Sequence, residues 1–170
     1  LGGHKVASLG YGVSANSKQC AEETNVNSLK AYGDKIGGAT MAYVNGNLPF
    51  GLPNGIAPEV TAMKDAGVDV ILTCLDLNAM KTIAQELQRQ GIRDKVKMVH
   101  PNTYNQDFVK EAGDLFEGDL VSVSFRPFEA DPERIPTEVE QPRDAARLFD
   151  QLLCIQHALD LRVDEPYSRA

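Results

Sequence analysis

Gly67-Val68-Asp69-Val70-Ile71-Leu72-Thr73 is the stretch that decides the fold. It is rich in β-branched residues, nearly all apolar, and entered through a glycine. A strand with one wet face alternates apolar and polar residues. An almost unbroken apolar run suits a central parallel strand covered on both faces by helices. The flanks agree. Upstream, a helix starts at Asn54 or Ala57 and runs to Gly67, with Pro58 near its first turn and Val60 and Met63 facing inward. Downstream, Asp76 or Asn78 caps a helix whose Met80, Ile83, Ala84 and Leu87 keep helical spacing, and Gly91 stops it.

Further out the same alternation continues. Lys5-Val6-Ala7-Ser8-Leu9 reads as a first strand and residues 10–16 as a loop. Ser17 caps a helix running to about Tyr32, with Ala21, Leu29 and Tyr32 inward; Gly33 and the pair Gly37-Gly38 end it. Residues 40–44 form a second strand, and the Asn, Gly and Pro of residues 45–56 a loop. Residues 96–99 read as a fourth strand, 105–112 as a short helix and 120–125 as a fifth strand. Five strands separated by helices imply an α/β fold in three layers, with right-handed crossovers in one parallel sheet. The expected strand order is 2-1-3-4-5, flavodoxin-like, with a ligand crevice at the carboxyl ends of strands 1 and 3. The loops 10–16 and 74–78 then form the site, bordered by residues 100–104.

The chain has 170 residues, 42% hydrophobic and 24% charged, with a net charge of −7. That is enough chain for a buried core, and the acidic balance argues against non-specific nucleic-acid binding. No apolar run approaches the roughly 18 residues of a membrane span, and the first residues lack the apolar core of a signal peptide. Residues 1–130 read as one α/β lobe. Residues 131–170 read as a charged, proline-bearing linker followed by an amphipathic helix over 143–161.

Gly10-Tyr11-Gly12-Val13-Ser14-Ala15 matches G-x-G-x-x-A directly after a strand, the pattern that lets a pyrophosphate approach a helix N-terminus. Two features oppose a dinucleotide. A helix capped by Ser17 leaves too long a loop, and no Asp or Glu ends the second strand, where Asn45-Gly46-Asn47 stands instead. Of the three histidines, only His100 falls near the expected site, as a hydrogen-bonded rim residue rather than a base. No nucleophile and base can be paired by spacing. Neither enzymatic turnover, a cofactor nor a metal is therefore expected. Tyr11 and Tyr104 lie on loops at the carboxyl edge, either as pocket aromatics or as packing for the lobe's own surface. Asp76 and Asn78 are either ligand groups or helix caps. Cys20 and Cys74 become neighbours in a 2-1-3 order, so they form either a disulfide or two separate thiols, with Cys154 left over.

Residues 5–9 with the following loop and helix, then Leu48-Pro49-Phe50-Gly51-Leu52-Pro53-Asn54-Gly55 and Pro58 to Asp69 with its Ala66-Gly67-Val68-Asp69, resemble the second lobe of type I periplasmic solute-binding proteins, in the branched-chain amino-acid-binding-like branch. Gln106-Asp107-Phe108 and Leu115-Phe116-Glu117-Gly118 are similar to the stretch before that lobe's last strand. The resemblance covers about residues 5–130. It implies an extracytoplasmic protein, periplasmic or a cell-surface lipoprotein, that closes with a first lobe around a small solute such as an amino acid and delivers it to an ABC permease. It further implies solute contacts from the loops after strands 1, 3 and 4, where Tyr11, Asp76, Asn102 and Tyr104 stand. The same fold also serves as the sensing domain of receptors and regulators, the alternative role.

Overall fold

Five parallel strands in the order β2-β1-β3-β4-β5 form the sheet of the computed structural model, which describes residues 5–101 and 105–121. The strands are β1 (Lys5–Tyr11), β2 (Thr40–Leu48), β3 (Val70–Cys74), β4 (Lys97–His100) and β5 (Leu120–Val121). The α/β class and the 2-1-3-4-5 order are those the sequence implies. All described residues belong to one compact unit, Leu1–Ser122. The expected remainder of the fifth strand, the linker and the helix over 143–161 lie outside the described residues.

Strand alternation sorts the side chains onto two faces. Ala7 and Leu9 of β1, Ile71 of β3 and Met98 of β4 are fully buried on one face. They cluster with Val60 and Met63 of α3 (Ala57–Asp65) and Met80, Ile83 and Leu87 of α4 (Leu77–Arg89). These helical residues are the ones whose spacing marked them as inward. On the other face β1 carries small residues, Ser8 and Gly10, and there a helix comes close. That helix runs as α1 (Ala15–Gln19), a π-helical turn (Cys20–Thr24) and α2 (Asn25–Tyr32). A Cβ on Gly10 would lie 2.4 Å from the Ser17 carbonyl oxygen and 2.9 Å from the Ala21 Cβ. Gly10 is thus required by the packing of the lobe's own helix. Buried Ser8 is satisfied by Asn25, whose Nδ2 donates to its hydroxyl at 2.9 Å.

Several boundaries differ from those expected. The first strand extends to Tyr11, and its helix begins at Ala15 under an Ser14 cap, not at Ser17. The connection is therefore short, so loop length is no argument against a dinucleotide; the missing acidic residue at the end of β2 is the argument that remains. β2 runs four residues further than expected, through Asn45-Gly46-Asn47 to Leu48. It is an edge strand, and its register against β1 shifts twice, between Val6 and Ala7 and between Leu9 and Tyr11. An irregular edge tolerates polar residues and glycine that a central strand would exclude.

On the far side, α5 (Gln106–Ala112) leads through a 3-10 turn (Gly113–Phe116) to β5. Asp119 is buried there, its side chain 2% exposed, 2.7 Å from Arg93 Nη2 and 3.0 Å from His100 Nε2. Its Oδ1 also accepts from the Met98 N–H at 3.0 Å. Arg93 donates in addition to the Leu115 and Val96 carbonyls. One carboxylate thus ties β4, β5 and the turn before β4 together. His100 is 2% exposed; it is a buried member of this network, not the rim residue expected, because its side chain falls on the face that α4 covers.

Candidate functional site

The switch point lies where β1 and β3, adjacent and in register from Val6↔Val70 to Gly10↔Cys74, part company at their carboxyl ends. Tyr11 is the last residue of β1, and it is 4% exposed. Its hydroxyl donates to Asp76 Oδ2 at 2.6 Å. Asp76 follows β3 and caps α4: its Oδ1 accepts from the N–H groups of Asn78 and Ala79 at 2.9 and 3.1 Å. Burial chiefly, then the hydrogen bond and charge of Asp76, push the Tyr11 hydroxyl well above the usual tyrosine range, with a backbone hydrogen bond at Gly51 opposing. A neutral phenol therefore faces a carboxylate across the crevice. Of the two roles open to Tyr11, packing takes the ring; of the two open to Asp76, capping takes one oxygen and Tyr11 the other.

A second set of contacts locks the same edge from the opposite face. The Tyr11 N–H donates to Ser17 Oγ at 2.7 Å, and the Ser17 hydroxyl donates to the Cys74 carbonyl at 2.5 Å. Ser17 is not the helix cap; it staples the end of β1 to the end of β3. Cys20, in the π-helical turn, is joined to Cys74 by a disulfide with a Cα–Cα distance of 6.1 Å. Asn25 Nδ2 lies 3.5 Å from the Cys74 sulfur. Covalent and hydrogen bonds thus hold the β1 turn and the β3 turn in one fixed relation.

Two side chains that sequence reasoning passed over stand exposed at this edge. Val13, in the turn after β1, is 76% exposed, and Phe50, in the turn after β2, is 68% exposed. The Gly12 N–H donates to the Leu48 carbonyl at 3.0 Å, joining the two turns. The Phe50 ring lies 5.1 Å from that of Tyr11, at 53°. The signal for Phe50 was available: an isolated aromatic between Leu48 and Leu52 in a Pro- and Gly-rich segment. Tyr11 and Asp76 are brought together; Asn102 and Tyr104 lie outside the described residues. A shallow groove walled by Arg93, Asp94, Asp114 and Glu117 opens at the opposite, amino edge of the sheet. No group of acidic, histidine or cysteine side chains able to hold a metal exists among the described residues, and no described helix is long and apolar enough to cross a membrane.

This edge is polar at its root, where Tyr11 meets Asp76, and apolar at its rim. Few convergent polar groups within an apolar surround are what small-molecule sites present. No curated protein matches the chain. A family model described as periplasmic binding protein matches residues 1–143, which takes in the whole described sheet and both turns of the edge. The chain belongs to the periplasmic binding protein family, of type I.

Proposed function

We propose that this lobe supplies one wall of a solute cleft in an extracytoplasmic binding protein that hands a small solute, an amino acid or similar, to an ABC permease. The observation that carries the reading is the edge held by Tyr11 and Asp76, at the switch point where an open α/β sheet takes its ligands. A second lobe facing this edge would complete the cleft. Closure on a hinge is favoured when both walls touch the solute only in the closed state. In this role the chain performs no turnover. Its part is to present a rigid wall, and the Cys20–Cys74 bond serves that end.

Calorimetry on two proteins tests the reading: this lobe alone, and the lobe joined to its partner lobe. With half of the contacts unmade, the lobe alone should bind free amino acids with dissociation constants of roughly millimolar or weaker, and the two-lobed protein about a thousandfold more tightly, about 4 kcal/mol. Equal affinity in both proteins would mean that the site is complete within one lobe.

A further inference from the structure

We propose that Phe50 is the solute-contacting ring of this lobe, and that the solute presents to it a flat apolar or aromatic group rather than an anionic one. This rests on the solute-binding reading above and adds the ligand class. Large aromatic side chains are ordinarily withdrawn from water, so the loop that holds this one out is informative. Leu48, Leu52 and Ile56 are all buried, at 2%, 4% and 1% exposure, while Phe50 between the first two is 68% exposed. The loop is anchored on both sides of a single projecting ring.

The backbone is also set at a cost. Leu52 has a φ of 50°, the sole positive value at a non-glycine residue among those described, and Gly51 before it has a φ of 72°. A leucine in the left-handed region persists only where its surroundings hold it. Here the buried side chain and two turns hold it, the Leu52 N–H on the Pro49 carbonyl and the Gly55 N–H on the Leu52 carbonyl. The effect is to fix the position of Phe50. Its ring rests on Tyr11, and the other end of that same tyrosine is bonded to Asp76. An apolar group stacked on Phe50 meets a pre-positioned partner with little ordering cost. An anionic group there would approach the Asp76 carboxylate, beside which no described cation is paired.

Titration of the intact protein with L-phenylalanine, L-alanine and L-glutamate tests this, since the three share their α-groups and differ only in the part proposed to reach Phe50. L-Phenylalanine should bind at least tenfold more tightly than L-alanine, and L-glutamate more weakly than either. Phe50→Ala should remove most of the preference for L-phenylalanine, a loss of about tenfold, and leave L-alanine unchanged; Phe50→Tyr should keep the preference. A uniform loss for all three probes in Phe50→Ala would show that the ring packs against the opposing lobe, and would overturn the proposal. So would tight binding of L-glutamate, or binding of L-phenylalanine that ignores the substitution; the solute-binding reading would then survive alone. Binding of none of the three, nor of a wider panel of amino acids and sugars, would remove both.

Discussion

The Tyr11 hydroxyl and Asp76 Oδ2 stand 2.6 Å apart across the gap between β1 and the N-terminus of α4. They are the last residue of one strand and the cap of the helix that follows the next. Their bond closes the root of the crevice, and burial together with Asp76 holds the phenol neutral to a higher pH than an ordinary tyrosine.

Tyr11→Phe keeps the buried ring and its contact with Phe50 but leaves Asp76 Oδ2 without its donor. The expected cost is about 1 kcal/mol, less than a lost hydrogen bond to a charged group usually costs, because Asp76 is partly exposed and water can replace the hydroxyl. The pH dependence has a definite sign. A hydroxyl whose folded pKa lies above its unfolded value adds stability that is full below about pH 10 and declines as pH rises further. Urea melts should show wild-type stability falling above about pH 10, and the fall should be shallower in Tyr11→Phe.

Reduction of the Cys20–Cys74 bond, or its replacement by a Cys20→Ser and Cys74→Ser pair, should destabilise the protein. The bridge spans 54 positions of sequence, for which loop-closure entropy gives about 4 kcal/mol as an upper figure. Denaturation with and without reductant measures the difference, and non-reducing peptide mapping should place Cys20 with Cys74 and leave Cys154 alkylatable. Two freely alkylatable thiols at Cys20 and Cys74 in protein taken from its native compartment would contradict an extracytoplasmic location.

Gly10→Ala should be costly although alanine suits a strand better than glycine. The added Cβ meets the Ser17 carbonyl, backbone that cannot swing aside. A loss of about 1–3 kcal/mol is expected from overpacking, together with displacement of Ser17 from Tyr11 and Cys74. Thermal melts check the first, and amide exchange at Tyr11 the second. A neutral substitution would show that the helix is not held against β1.

The parts legible in the sequence were those that burial determines. The central strand, read at residues 68–73 and running over Val70–Cys74, and the inward face Met80, Ile83, Ala84 and Leu87 could be read because the middle of a helix-covered parallel sheet strongly favours apolar side chains. The end of β2 could not: Asn45-Gly46-Asn47 has turn chemistry, and only the irregular edge register allows it to be strand. Ser17 was read as the cap; the actual cap, Ser14, follows from β1 running on to Tyr11, which a tyrosine before a glycine does not reveal. The π-helical turn over Cys20–Thr24 has no compositional mark. The meeting of Tyr11 and Asp76 at the carboxyl edge followed from topology, whereas the isolated aromatic Phe50 was visible in its Pro- and Gly-rich segment but its exposure was not, because that depends on the buried leucines on either side.

Asp119→Ala should be the most damaging of these substitutions. It would leave Arg93 and His100 with no carboxylate in a place where the Asp119 side chain is 2% exposed and that of Arg93 14%. Removing one partner of a buried ion pair typically costs about 3–5 kcal/mol. Equilibrium unfolding gives the value, and a cost below about 1 kcal/mol would mean that the network is not stabilising.

Hydrogen–deuterium exchange on the intact protein, with and without a saturating amino acid, tests the location of the solute site most directly. The expected result is new protection confined to the turns at residues 12–14, 49–52 and 76–79, on the carboxyl edge around Tyr11 and Asp76. Protection centred instead on Arg93, Asp94 and Asp114 at the amino edge, with none in those turns, would contradict it.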